Sequence, residues 1–332
     1  MTRRLLLAVL ATLAPAVAAS PVGAAGHVSL AREKAGSNVG IVDIYTTLGY
    51  ENGVAAGTGM ILTRSGQVLT NNHVISGSTN FKVVDVTTHK VYSAARVAVA
   101  GYSVSRDIAV LQLAHPSGLR TVKRGGAIPL HVGMQVLARG NAQGRGGQPK
   151  TARGQIIALH QQIIARDETG DSETLNNTIA TDAPVVPGYS GGPLENVQNR
   201  VLGIVTAGST SGVHRGFAIP LGQALLIAHK IESGKSSATI HVGPTAFLGV
   251  VVANAPGGAR ISTVLPNKPA AAAGLVVGDV ITSLNGKTIS STADVRKTVL
   301  QLVPGKAVSI DWTDTSGTAQ TGAITPTAGP PQ

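Results

Sequence analysis

The 332-residue chain contains no cysteine, which excludes disulfides, thiol catalysis and thiolate metal sites. Aromatic residues make up only 3%, so Val, Ile, Leu and Ala must build the core. Acidic residues are also scarce, 16 against 27 Lys and Arg, for a net charge of +11. Residues 1–26 hold two of those basic residues and no acidic one, so a chain without them would carry +9. No Arg/Lys cluster interleaves with aromatics, which argues against a nucleic-acid platform and leaves a general solubilising field. Nor is there a run long enough to cross a bilayer, because the apolar stretch Leu5 to Leu13 is well short of about 20 residues. That stretch follows Arg3-Arg4 and precedes the small residues APAVAAS. The layout is that of a secretory signal over residues 1–26, with cleavage expected between Ala18 and Ser20. His89, His115, His131, His160, His214, His229 and His241 show no H-x-x-x-H or related spacing, so no metal or other cofactor is expected. The segment 140–154, GNAQGRGGQPKTARG, lacks the GK[ST] step of a phosphate loop and reads as a mobile surface loop.

What is present is β-rich. After an N-terminal segment, 27–38, short β-branched runs separated by Gly, Asn, Pro and Ser occupy residues 39–232, among them VGIVDIYTT, GTGMIL, DIAVLQL, RVLGIVT and RGFAIP. Such spacing predicts a β-sandwich or barrels. Leu221, Leu225, Ala228 and Ile231 switch to helical periodicity and predict a closing helix. Ser233 to Ser237 is a polar break inside a linker, 233–244, and a second unit follows over 245–325. There Ser291 and Asp294 form a capping box ahead of Val295, Val299 and Leu302. AVSIDW and TAQTGAI flank Asp314 to Gly317 as a hairpin, and the Pro-rich end, 326–332, is expected to trail loosely.

The most informative stretch is Gly188-Tyr189-Ser190-Gly191-Gly192 before Pro193-Leu194. Upstream, TNNHVI supplies His73 and SRDIAVLQL supplies Asp107. Peptide hydrolysis at neutral pH needs a nucleophilic hydroxyl, a base for its proton and a group orienting that base; Ser190, His73 and Asp107 supply them in chain order His, Asp, Ser. The glycines around the serine let backbone NH groups of Gly188 and Ser190 converge as an oxyanion hole. The rival reading is the G-x-S-x-G elbow of an α/β-hydrolase, which needs strand, turn and helix with Asp and His after the serine. Pro193 opposes a helix start, although His214, His229 and His241 lie downstream.

TNNHVI, DIAVLQL, TDAPVVPGYSGGPL, GIVTAG and GFAIP together resemble the protease domain of HtrA/DegP-type serine proteases, and AFLGV with PAAAAGLVVGDVITSLNGKTI resembles a PDZ domain. Within that group the arrangement is similar to the secreted PepA-like antigens. The resemblance implies a mostly β fold, a chymotrypsin-like double β-barrel over 39–232 and a small α+β PDZ domain. It implies Ser190 as nucleophile, His73 as general base, Asp107 as orienting carboxylate and Gly188 with Ser190 as oxyanion hole. Tyr189 departs from the small polar residue usual at its position and excludes the Asp-to-N-terminus latch of digestive zymogens.

Val185, Val186 and Phe217, with Ala207 nearby, point to a small or medium apolar residue before the scissile bond. Asp182 is read as structural. Strand Val205-Thr206-Ala207 is expected to pair with the substrate backbone. Leu248, Gly249 and Val250 would bind a peptide's C-terminal carboxylate, with the helix near Thr292 as the other wall of the groove. The expected partners are unfolded proteins or peptides and hydrophobic C-termini, not nucleic acid. A homo-oligomer is implied, a trimer by resemblance, although residues 27–38 lack the aromatic contacts that hold many such trimers. The reading is thus a secreted endopeptidase of the cell-envelope exterior or periplasm. The alternative is a chaperone-like or peptide-binding protein whose protease site is latent.

Overall fold

The computed structural model describes residues 10–13, 38–50, 52–126, 128–166, 172–208 and 215–332. The signal reading, apart from Leu10–Leu13, and the reading of residues 27–37 lie outside the described residues. The chain divides into two compact units, Met1–Glu232 and Ser233–Gln332.

In the first unit, β1 (Leu10–Leu13), β2 (Ile41–Leu48), β3 (Gly53–Ile61) and β4 (Gln67–Thr70) precede a one-turn helix, α1 (Asn72–Ile75). Then come β5 (Asn80–Asp85), β6 (Val91–Tyr92), β7 (Val97–Ser103) and β8 (Ile108–Leu113). Strands β2 to β8 form an antiparallel sheet in the order β7-β8-β4-β3-β2-β5-β6. Ile41, Ile44, Met60, Ile61, Leu69 and Leu111 are fully buried in it, so aliphatic side chains do the filling that aromatics cannot.

The second sheet comprises β9 (Gln135–Gly140), β10 (Lys150–Arg166), β11 (Ser172–Thr181), β12 (Pro193–Asn196), β13 (Val201–Gly208) and β14 (Gly216–Pro220). Its order is β10-β11-β14-β13-β12-β9, and β9 pairs back onto β10, which closes a barrel. β10 serves both neighbours because register shifts between Ile156 and Ile163 bend it, the usual way a long strand turns a barrel corner. β1 runs antiparallel to its far end, Leu13 opposite Ile163. The closing helix α2 (Leu221–Glu232) buries Leu221, Ala224, Ile227, Ala228 and Ile231.

One expectation changes here. The segment 140–154 is loop only over residues 141–149, because Gly140 ends β9 and Lys150–Gly154 joins β10 opposite it. Its alternation of small and polar residues hid a strand whose ladder, not its composition, holds it. β12 was also not read as a strand, since PLEN is short and opens on proline, which an edge or first strand position tolerates.

The second unit holds β15 (His241–Val242), β16 (Thr245–Phe247), β17 (Val250–Ala255), β18 (Gly258–Val264), α3 (Pro269–Ala272), β19 (Val280–Leu284), β20 (Lys287–Thr288), α4 (Thr292–Val299), β21 (Val308–Thr313), β22 (Ala319–Ile324) and β23 (Thr327–Gly329). Strands run β17-β18-β19-β21-β22 around a core including Leu248, Ile261, Leu275, Ile281, Leu284 and Ile310. The β21–β22 hairpin forms as read. So does the capping box: Ser291 Oγ accepts from Asp294 N at 3.2 Å and Asp294 Oδ2 accepts from Ser290 N at 3.0 Å. The loose tail does not: β23 pairs with β16 and Pro330 and Pro331 are buried. Thr245–Phe247 offered an open strand edge that the tail's backbone satisfies.

Candidate active site

His73 sits on α1, where Val74 packs over Gly57; a Cβ there would lie 2.7 Å from the Val74 methyls. Asp107 terminates a short 3-10 turn at φ +50, a left-handed conformation uncommon for a residue with a Cβ. That conformation brings its carboxylate back toward α1. Oδ1 accepts from the His73 backbone NH at 3.1 Å, and His73 Nδ1 lies 3.0 and 2.9 Å from Oδ1 and Oδ2. Asn71 Nδ2 donates to the Asp107 carbonyl at 2.8 Å. A carboxylate facing Nδ1 favours the tautomer protonated there, so the lone pair falls on Nε2. Among the described residues Nε2 is buried with no hydrogen-bond partner.

Ser190, from the second barrel, is linked to Asp107 through Thr206. The β13–β14 register skips from Val205 to Ala207, so Thr206 has no cross-strand partner in β14. The irregularity turns Thr206 inward. Its hydroxyl donates to Asp107 Oδ2 and its carbonyl accepts from Ser190 Oγ at 3.4 Å. Thr206 was read as a substrate contact; its side chain is fully buried and committed to Asp107, leaving only its carbonyl for a peptide. The readings of Val205, Ala207 and Phe217 as substrate contacts change too. Val205 spends its NH and carbonyl on Gly192 and Gly191. Phe217 and Ala207 pack with Ile163, Ala165, Leu175 and Ala180 in the barrel core. With so few aromatics available, the barrel uses Phe217 as filling. Val185 and Val186 remain half-buried and exposed beside the loop. Asp182 is structural as read, its Oδ1 accepting from Gln155 N at 2.7 Å.

The loop that carries Ser190 is fixed from several sides. Pro187 O accepts from Gln143 N at 2.7 Å. Because a trans peptide points its C=O and N–H in opposite directions, the Gly188 NH faces away from Gln143. Among the described residues neither the Gly188 nor the Ser190 NH has an acceptor. Gly188 has φ +95, and a Cβ on it would lie 2.0 Å from Asn141 O. Gly191 has φ +83 and would meet Thr58 O, also at 2.0 Å. Thr58 stitches the two barrels here: its Oγ1 donates to Gly188 O at 2.6 Å and accepts from Asn141 N at 2.9 Å, and its NH donates to Ser190 O at 2.8 Å.

Tyr189 takes up the space beneath the loop, buried among Val136, Ala138, Leu194 and Val205, and burial pushes its phenol up from its ordinary value. An apolar anchor therefore stands where an ion-pair latch would. Ser190 leads into strand β12, not into a helix, which removes the α/β-hydrolase elbow. Thr58, Asn141 and Gln143 were missed in the sequence, since their contributions are backbone or hydroxyl contacts across more than 40 residues that no local motif announces.

In the second unit, Gly249 (φ +78) closes a turn in which Leu248 O accepts from Ala270 N and Gly249 O from Leu265 N. β17 is the edge of its sheet, and α4 lies beside it.

Residues 57–204 match the trypsin-like peptidase domain and residues 246–313 the PDZ domain. The chain is 33% identical over 303 residues to the serine protease PepD of Mycobacterium tuberculosis, covering 86% of this chain and 63% of that protein. It is 34% identical to the periplasmic serine endoprotease DegP of Escherichia coli K12, covering 77% and 54%. The chain thus spans less than two thirds of these relatives' lengths. The solved HtrA-type protease AlgW with tripeptide superposes at a TM-score of 0.50 and 26% identity, covering 88% of this chain and 95% of that one. The chain thus combines a trypsin-like peptidase domain with one PDZ domain, and its homologues are HtrA/DegP-type serine proteases.

Proposed function

We propose that the chain is an exported serine endopeptidase acting on extended segments of unfolded or damaged proteins. The carrying observation is the geometry of His73, held at 2.9 and 3.0 Å by Asp107 on one side while Nε2 stays unpartnered on the other. His73 Nε2 takes the Ser190 proton as Oγ attacks the scissile carbonyl, and Asp107 stabilises the imidazolium that forms. Thr206 holds Asp107 in place. The oxyanion is received by the NH groups of Gly188 and Ser190, and His73 then returns the proton to the leaving amine. In the second unit the free edge of β17 beside α4 suits an added peptide strand, with Leu248, Gly249 and Val250 at the C-terminal carboxylate. Export rests on the residues 1–26 pattern and on relatives named as periplasmic.

A fluorophosphonate probe followed by mass spectrometry tests the reading. One modification at Ser190, lost in Ser190→Ala, is expected. Absence of labelling, with and without an added hydrophobic C-terminal peptide, would overturn it. The latent-site alternative draws on one observation, that Ser190 Oγ bonds Thr206 O while His73 Nε2 has no partner. It predicts labelling only after the peptide is added.

A further inference from the structure

Residues 233–332 carry seven Lys and Arg against four Asp and no Glu, and each of the four carboxylates holds internal hydrogen bonds. Asp279 is buried with Oδ2 accepting from Val276 N, and Asp294 closes the capping box of α4. Asp311 accepts from Thr321 Oγ1, and Asp314 accepts from Ser316 N and Thr318 N in the β21–β22 turn. Strands β17 and β18 hold one charged residue between them, Arg260. It is exposed, and among the described residues no carboxylate pairs with it.

The alternation of β17 decides what Arg260 can reach. Val250 and Val252 pack on the core, and Asn254 Oδ1 accepts from Thr292 N at 2.8 Å, so this face turns to α4. Val251 and Ala253 take the opposite, exposed face. Arg260 is the cross-strand partner of Ala253, and directly opposed residues share a face. The backbone alternates as well. The Val251 carbonyl points to β18, where Ser262 Oγ donates to it at 3.1 Å, so Val250 and Val252 present their NH and C=O groups to the open edge.

We infer that Arg260 makes the second unit select peptides with an acidic side chain on the fourth residue from the C-terminus. The inference rests on the reading of β17 as a peptide-binding edge. A strand added antiparallel, with its last residue opposite Val250, places the third from its end opposite Val252 and the fourth opposite Ala253. That fourth side chain rises on the exposed face, with only the Ala253 methyl between it and Arg260. Two strand spacings separate their Cα atoms by about 10 Å, a gap that a guanidinium and a Glu or Asp side chain leaning toward each other close. A Lys there meets like charge, and a Gln leaves Arg260 to water.

The test uses the full chain as Ser190→Ala, which prevents cleavage, and an array of peptides with free C-termini. Their last three residues vary among Val, Leu, Phe and Ala, and each is made with Glu, Gln or Lys at the fourth position. Glu peptides should bind about two- to fivefold tighter than their Gln partners, the worth of an exposed ion pair, and Lys peptides should bind more weakly than Gln. The Glu advantage should fade at about 1 M salt, where the Debye length is short. Arg260→Glu, at an exposed position outside the core, should reverse the order to Lys over Gln over Glu. Reading a ratio keeps the result independent of how much folded protein each variant yields. Equal binding of the three versions, or an order that Arg260→Glu leaves unchanged, overturns the inference while the peptide-binding edge stands. Binding of no peptide in the array removes the edge reading and the inference together.

Discussion

Gly188→Ala tests the nucleophile loop by adding one carbon. The new Cβ would stand 2.0 Å from Asn141 O and 3.1 Å from Gln143 N. Carbon and oxygen do not approach within 3.0 Å, so the two backbones must part by about 1 Å, enough to lose a hydrogen bond. Neither can yield alone, because Thr58 Oγ1 joins Asn141 N to Gly188 O at 2.9 and 2.6 Å. Holding alanine at the glycine's φ of +95 adds about 1–3 kcal/mol of strain. The Gly188 NH therefore leaves its position, and removing one oxyanion donor lowers kcat by about 10² to 10³. KM should change little, since the donor acts mainly in the transition state. Steady-state kinetics on a peptide substrate, with thermal unfolding to confirm a folded variant, reads both. A folded Gly188→Ala enzyme with wild-type kcat would refute the assignment of the loop.

Three further outcomes follow from the same geometry. Thr206→Val removes the hydroxyl donated to Asp107 and should lower kcat by roughly 10- to 100-fold, the value of one hydrogen bond to a charged group; Thr206→Ser should restore most of it. Burial lifts Asp43 from 3.8 to about 7, so its protonated form is favoured by folding. Its stabilisation is complete below pH 4 and is lost as pH rises through 7, by at most about 4 kcal/mol. Asp43→Asn should accordingly flatten the fall of Tm between pH 4 and 8, and an unchanged slope in calorimetry would count against this. Tyr189→Ala empties a site packed by Val136, Ala138 and Leu194 and should cost about 3–5 kcal/mol in chemical denaturation, whereas Tyr189→Phe should cost far less if the ring is what anchors the loop.

The barrels were legible because β-branched runs recur between turn residues, and α2 and α4 because their periodicity and capping box are local. His73, Asp107 and Ser190 were legible because each sits in a short distinctive string. What escaped was set by distance in sequence. Thr206 lay inside a string that read as a substrate strand, and only the skipped register opposite β14 turns it onto Asp107. Phe217 looked like a pocket wall because an aromatic near a cleft usually is one, yet this chain spends it on its core. The Pro-rich end looked loose for its composition, while the edge of β16 that it completes lies some 80 residues earlier.

Hydrolysis of an unfolded protein such as casein by the full chain and by Ser190→Ala tests the central claim most directly. The account predicts fragments from the wild type and a rate lower by about 10⁶ in the variant, the cost of losing a triad nucleophile. Equal turnover by the two proteins would contradict it.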